Sequence, residues 1–436
     1  MQNPYRRLLV ALVFVLLILS APLWAPTLQT LAAPGANPVE EAPTFYILDA
    51  GWTAGSLTQQ VLAVPQVLYW SPGNEEAVWA AETGFIYGGF RDSKSGYIYI
   101  TELRNNNHHS LLNVSFESNK VSAYTKEWTL YITALDGESG EVINRTPLDL
   151  TTVYAGSTLE PIGISGDTLY LMDYSYTENL FAYDLDTGKL TGDAWSLCKD
   201  GYLIQAVFSP ATLDLKVVSN KPSPRVAALC VDYSTGSESS VTLTHLRTDE
   251  QSSLELTTLG YEDYQTGNGI FLANETLYAV DSDAGVIVEI DMDTMQIAQS
   301  SNYRDGLLQE QSSWIDDLLG WLGDQILSPA AAKRWHALTA ISHSGRWLVV
   351  DGGFSENQGT IADLLLVDLH TLQAVRSFEI SQFPEQIAFG NEDDLLVIFG
   401  KHSFARATTG VWIDMHTSET QSTKVPTHGW IRKILR

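Results

Sequence analysis

An all-β fold of repeated four-stranded units is predicted for this 436-residue chain by three observations. First, an Asp is followed three residues later by Ser or Thr at Asp136/Ser139, Asp184/Thr187, Asp232/Thr235, Asp291/Thr294, Asp368/Thr371 and Asp414/Thr417, each time after an apolar run. Second, successive Asp positions lie 48, 48, 59, 77 and 46 residues apart. Third, short β-branched and aromatic runs alternate with turn residues and do not recur every three or four positions. Units of this length and pattern describe the blades of a β-propeller. Six units are explicit and the residues before them supply more strands, so seven four-stranded blades are expected, with six or eight as alternatives.

The unit ending at Trp195 sets the register for the others. Residues 162–164 read as an innermost strand, Ser165-Gly166-Asp167 as a tight turn, 168–172 as the second strand, 173–179 as a loop, 180–183 as the third strand and 189 onward as the fourth. Asp184 to Gly188 is then the last hairpin, where Asp and Thr side chains bond backbone groups of the turn and Gly takes a positive φ. Turns of the first hairpin are read at Ser209-Pro210-Ala211-Thr212, Asn274-Glu275-Thr276, 342–346 and 390–393. The 77-residue interval contains residues 305–335, whose apolar positions recur at three- and four-residue steps, so one helical insertion is expected there. Ahead of the explicit units, 66–70, 77–81, 85–89 and 97–103 supply strands for one more blade and part of another. The runs 45–48 and 430–435 are expected to share a blade, because closing the ring with both ends of the chain removes exposed sheet edges.

The stretch Ala182-Tyr183-Asp184-Leu185-Asp186-Thr187-Gly188-Lys189-Leu190, with Trp195 beyond it, resembles the blade motif of the pyrroloquinoline-quinone-like propellers. The remaining units resemble their looser YVTN-type relatives, and the resemblance covers residues 121–426. It implies the propeller fold. In the quinoprotein dehydrogenases a Trp closes nearly every repeat, whereas this chain has other residues in the corresponding stretches 297–300 and 375–378. No quinone or other cofactor is therefore expected.

Composition narrows the class of partner. With 44% hydrophobic and only 18% charged residues, the chain can bury a large core. Its net charge of −27, from 25 basic against 52 acidic residues, excludes nucleic acid as an expected partner, since phosphate binding needs Lys and Arg gathered on one face. At the N-terminus Arg6-Arg7 precede an apolar run, so residues 1–25 read as a signal peptide or membrane anchor, 26–43 as a Pro/Ala/Gly-rich linker and 44–436 as the propeller domain. The expected location is extracytoplasmic: periplasmic, cell-surface or secreted. That compartment permits a Cys198–Cys230 disulfide. The predicted register opposes one, because it puts Cys198 in a link before an innermost strand and Cys230 near the end of a third strand, toward opposite faces.

Propellers place ligands on the face made by second-to-third-strand loops and the links between blades. Those loops are read as 91–96, 173–179, 220–224, 281–285, 351–361 and 401–409. The candidate binding residues on them are Arg91, Tyr174, Tyr176, Asp281, Asp283, Phe354, Glu356, Lys401, His402, Phe404 and Arg406. Lys401, His402, Phe404 and Arg406 form a basic and aromatic cluster suited to an anionic group or a peptide carboxylate. Tyr174, Tyr176 and Phe354 offer stacking surface for a sugar or peptide. Asp281-Ser282-Asp283 lacks the Gly and distal Glu of a calcium loop and reads as a turn, so no metal site is expected. The nine His are scattered and no nucleophile motif is present, so no residue is assigned to catalysis. The sequence thus predicts a monomeric, exported or membrane-tethered scaffold for an extracytoplasmic protein, peptide or glycan, touching the membrane only through an uncleaved N-terminal segment. The alternative is a propeller enzyme of quinoprotein dehydrogenase or lyase type.

Overall fold

The computed structural model describes residues 44–50, 52–53, 61–105, 128–148, 159–174, 178–199, 201–209, 224–232, 238–256, 268–282, 285–304, 339–351, 362–380, 383–390, 393–401, 408–427 and 431–435. The expected signal or anchor and the expected helix at 305–335 lie outside the described residues. Among the described residues no helix is long and apolar enough to cross a membrane.

Seven four-stranded antiparallel sheets make the seven blades, each running from an innermost strand outward. Blade 1 contains Ile431–Leu435, Phe45–Asp49, Gln66–Trp70 and Trp79–Glu82; blade 2 contains Phe85–Arg91, Tyr97–Asn105, Trp128–Asp136 and Val142–Pro147. Blade 3 contains Leu159–Ser165, Thr168–Asp173, Asn179–Asp184 and Lys189–Ser196; blade 4 contains Tyr202–Ser209, Arg225–Asp232, Glu238–His245 and Glu250–Glu255. Blade 5 contains Asn268–Ala273, Thr276–Asp281, Val286–Asp291 and Gln296–Asn302; blade 6 contains Thr339–Ile341, Trp347–Asp351, Ala362–Asp368 and Gln373–Ile380. Blade 7 contains Phe383–Phe389, Leu395–Lys401, Thr409–Asp414 and Thr420–Lys424. The ring closes as expected, with Tyr46, Ile47 and Leu48 registered against Leu435, Ile434 and Lys433.

The hydrophobic core follows from period-two alternation. Successive residues of a middle strand point to opposite faces of its blade, so a continuous apolar strand feeds both neighbouring seams. Seven buried clusters result, one per seam. Between blades 4 and 5, Leu229, Val241 and Leu243 meet Val286, Val288 and Ile290. Between blades 7 and 1, Val397 and Phe399 meet Phe45, Ile47 and Trp70.

The Asp turns behave as their chemistry requires in five blades. The Asp136 carboxylate accepts from the amides of Glu138 and Ser139 at 3.1 and 2.8 Å, and Asp414 accepts from those of His416 and Thr417 at 2.7 and 2.8 Å. One residue later the backbone turns left-handed: Gly140 and Gly188 have φ of 74° and 69°, while Met295, Leu372 and Ser418 take 49°, 54° and 62° without the glycine advantage.

The sixth expected turn is out of phase. Asp232 ends the second strand of blade 4, not the third, and the last hairpin there runs from His245, whose carbonyl accepts from Asp249 N at 2.9 Å. The reason lies in a second Asp repeat: the second strands of blades 1, 3, 4, 5 and 6 also end in Asp, at Asp49, Asp173, Asp232, Asp281 and Asp351. In blade 4 that Asp precedes Tyr-Ser-Thr by coincidence and imitates the other turn. Consequently the first hairpin of blade 4 joins Ser209 to Arg225, and the residues between 209 and 224, which include most of the expected tight turn and most of 220–224, lie outside the described residues.

The same shift of phase overturns the reading of the cysteines. Cys230 lies near the loop-face end of a second strand, beside the link that carries Cys198, and the two are joined in a disulfide with Cα atoms 5.7 Å apart.

Candidate functional site

The innermost strands of the seven blades line the axis. Unlike the middle strands they have one edge without a hydrogen-bonded neighbour, facing the axis, so polar residues are tolerated there. The closing strand Ile431–Leu435 uses this freedom: Ile431 and Leu435 are buried, while Arg432 is exposed and Lys433 half-buried. Lys433 Nζ lies 2.5 Å from Oε1 of Glu160, on the innermost strand of blade 3. Glu160 reaches it by crossing the innermost strand of blade 2 at Gly88, where an added Cβ would stand 2.4 Å from Glu160 Cγ. Glycine is required there by close approach of a neighbour, not by φ. Arg432 Nε donates to the Tyr87 carbonyl at 2.8 Å on the same blade 2 strand. Blades 1, 2 and 3 are thereby tied across the channel mouth.

Tyr174 opens the second-to-third-strand loop of blade 3 and packs into the seam with blade 4. Burial pushes its phenol above the ordinary range and the Glu160 carboxylate adds to the effect, against an opposing contribution from the Ala206 amide and Arg432. The phenol therefore remains a neutral, protonated group at physiological pH. Glu178 ends the same loop with a left-handed φ of 52°, and its Oε2 accepts from Leu203 N of blade 4 at 2.8 Å. Burial raises its pKa and the nearby Asp173 carboxylate raises it further, while the Leu203 amide works against both. Gln205 continues the chain of ties, its Oε1 accepting from Ile270 N of blade 5 at 3.0 Å. A fixed rim holding an exposed guanidinium is suited to binding an anionic group.

The sequence-predicted residues divide unevenly over this geometry. Tyr174 is at the mouth. Asp281 ends the second strand of blade 5 at its loop-face end, registered against Asn268 and only 4% exposed. Lys401 ends the second strand of blade 7 on the loop face. Tyr176, Asp283, Phe354, Glu356, His402, Phe404 and Arg406 lie outside the described residues.

Arg91 is a correction. Residues 91–96 form the first hairpin of blade 2, where Asp92 accepts from Lys94 N and Ser95 N at 3.1 Å each, so Arg91 stands on the hairpin face. Its guanidinium lies 5.0 Å from the ring centroid of Tyr46 in a cation–π contact. The Asp-x-x-Ser form is identical in the first and last hairpins, which is why spacing alone misplaced it.

Glu160, Glu178, Arg432 and Lys433 were not found from the sequence. A signal for the cations existed: Ile-Arg-Lys-Ile-Leu puts two charges in the middle of a ring-closing strand.

No family model matches the chain, and no curated protein matches it. Solved structures do. It is similar to a putative 6-phosphogluconolactonase from Bacteroides uniformis at 12% identity and a TM-score of 0.52, over 90% of this chain and 99% of that one. It is also similar to Sqt1 of Saccharomyces cerevisiae, at 10% identity and a TM-score of 0.48 over 89% and 90%, and to the WD40 domain of SCAP from fission yeast, at 11% and 0.45 over 87% and 88%. The first of these likenesses supports the propeller fold alone.

Proposed function

We propose that this chain is an exported or membrane-tethered interaction scaffold of the pyrroloquinoline-quinone-like or YVTN-like propeller type, which presents its loop face to an extracytoplasmic protein and engages an acidic or carboxylate-bearing segment at the channel mouth. The observation that carries this is Arg432, an exposed guanidinium fixed through Nε beside the Lys433–Glu160 pair in a chain of net charge −27. Negative charge over the rest of the chain favours selectivity, because it repels an acidic segment that the Arg432 guanidinium attracts. Blade 7 adjoins blade 1, and its second strand ends at Lys401 on the loop face; His402, Phe404 and Arg406 follow Lys401 in sequence. The disulfide supports the export reading, since such bonds persist in oxidising compartments.

Capture of partners from the native envelope or medium tests this with wild type, Arg432→Glu, and a Lys401→Ala/His402→Ala/Arg406→Ala variant. A partner held by wild type should be lost by Arg432→Glu and weakened by the triple change. Retention by both variants, or no specific partner at all, would overturn the proposal.

A further inference from the structure

The faces of blades 3 and 4 that meet at their seam are unequal. On blade 4, register places Cys230, Ser240 and Glu255 in one row, Ala228, Thr242 and Ser253 in the next, and Val226, Thr244 and Gln251 in a third, all on one face. Val226, Ala228 and Cys230 pack against Tyr170, Met172, Leu180 and Ala182 of blade 3, so this is the face turned toward that blade. Counting back from the last hairpin, the third-strand positions of Thr244, Thr242 and Ser240 correspond to Ile290, Val288 and Val286 of blade 5, which fill their seam with hydrocarbon. In blade 2 a Thr also takes the middle position, but Thr133 donates to the buried Glu102 at 2.5 Å. Blade 4 alone replaces all three with hydroxyls, and the seam opens there into a cleft of about 290 Å³.

Burying polar groups costs free energy unless each finds a partner. Part of the wall is satisfied internally: Gln251 Nε2 donates to the Ser196 carbonyl of blade 3 at 2.7 Å and to Thr244 Oγ1 at 3.2 Å. The other end of the same amide is not, since Gln251 Oε1 is buried with no donor among the described residues. Lys199 on the link, Asp232, Ser239, Ser252 and Glu255 complete the lining.

We propose that this cleft binds one neutral polyhydroxylated ring, a single sugar unit. Three properties select that chemistry. Its volume stands at the lower end of small-molecule sites, roughly 300 Å³ and upward. Serine and threonine both donate and accept, as ring hydroxyls do. Two carboxylates against one ammonium disfavour phosphate, sulfate or uronate. The site is separate from the channel mouth, and it stands whether or not the mouth takes a protein.

Calorimetry and ligand-observed NMR on the oxidised full chain test this with glucose, galactose, N-acetylglucosamine and myo-inositol, and with glucose 6-phosphate and glucuronate as anionic arms. At least one neutral ring should bind with one-to-one stoichiometry and outcompete its anionic counterparts. Thr242→Val, which keeps the shape and removes the hydroxyl, and Gln251→Met should each weaken it about tenfold, the loss of one hydrogen bond. Glu255→Ala, at an exposed position, should weaken it without disturbing the fold, and Arg432→Glu should leave it unchanged. Absence of binding by every neutral ring, preference for the anionic sugars, or affinity indifferent to all three cleft variants would overturn the proposal.

Discussion

Removing the Cys198–Cys230 bond should cost the propeller about 3.7 kcal/mol. The two cysteines are 32 residues apart in sequence, and closing a loop of that size in the unfolded chain corresponds to about 12 cal/mol/K on the chain-entropy model, or about 3.7 kcal/mol at 25 °C. Both residues are buried, at 8% and 3% exposure, so Ala is the suitable replacement and the double variant leaves no reactive thiol. Urea denaturation followed by tryptophan fluorescence should be run on the oxidised wild type, the reduced wild type and Cys198→Ala/Cys230→Ala. With a slope near ~3 kcal/mol/M, the midpoint should fall by about 1.2 M when the bond is lost. Reduced wild type keeps both sulfur atoms and the double variant lacks them, so the difference between those two isolates packing from the cross-link. Two free thiols titrating in native protein prepared under oxidising conditions, or equal midpoints for all three forms, would refute the reasoning.

Three further variants probe a buried group and the left-handed backbone. Glu102 is fully buried and accepts from Thr133 Oγ1 at 2.5 Å, Arg145 Nε at 2.8 Å, Arg104 Nε at 2.9 Å and the Gly84 amide. Burial alone would raise its pKa, but these donors together hold it below 4.5. A depressed carboxyl stabilises the fold above its unfolded pKa and loses that contribution as pH falls through the folded value. Wild type should therefore lose stability in acid below about pH 4.5, whereas Glu102→Gln should show a shallower slope there and be weaker by about 3–5 kcal/mol at neutral pH; a pH series of denaturation midpoints checks both. Gly140→Ala should destabilise by about 2 kcal/mol, because φ is +74° and the new Cβ would stand 2.5 Å from the Trp79 ring. Ser418→Gly at φ 62°, an exposed position, should be neutral or stabilising in the same thermal unfolding assay.

Much of the architecture was legible because blade length, turn chemistry and strand alternation all repeat. Asp184, Asp291 and Asp368 mark the same hairpin because one carboxylate satisfies several backbone amides there, a local requirement that sequence displays directly. Asp232 misled because an Asp also ends second strands, and sequence does not distinguish the two positions when the following residues match. That single shift of one strand moved Cys230 from one face to the other and concealed the disulfide. The mouth was less legible. Tyr174 was found through its loop, but the Glu160–Lys433 contact joins residues 273 apart in sequence, and only ring closure over Gly88 brings them together. The cleft on blade 4 was invisible for a similar reason: Ser240, Thr242 and Thr244 look like ordinary strand residues until register shows that they share a face with Gln251, Ser253 and Glu255.

The strand closest to the axis in blade 1 comes from residues 431–435, while the other three strands of that blade come from 45–82. A chain made from its N-terminus onward must keep its first sheet one strand short until residues 431–435 have been made, with bare amides and carbonyls along the gap. The piece that finally fastens the belt also carries Arg432 and Lys433. The binding proposed for an acidic segment would thus become available in the same step that completes the circle, so an unfinished or nicked molecule would present neither the buckle nor the charge.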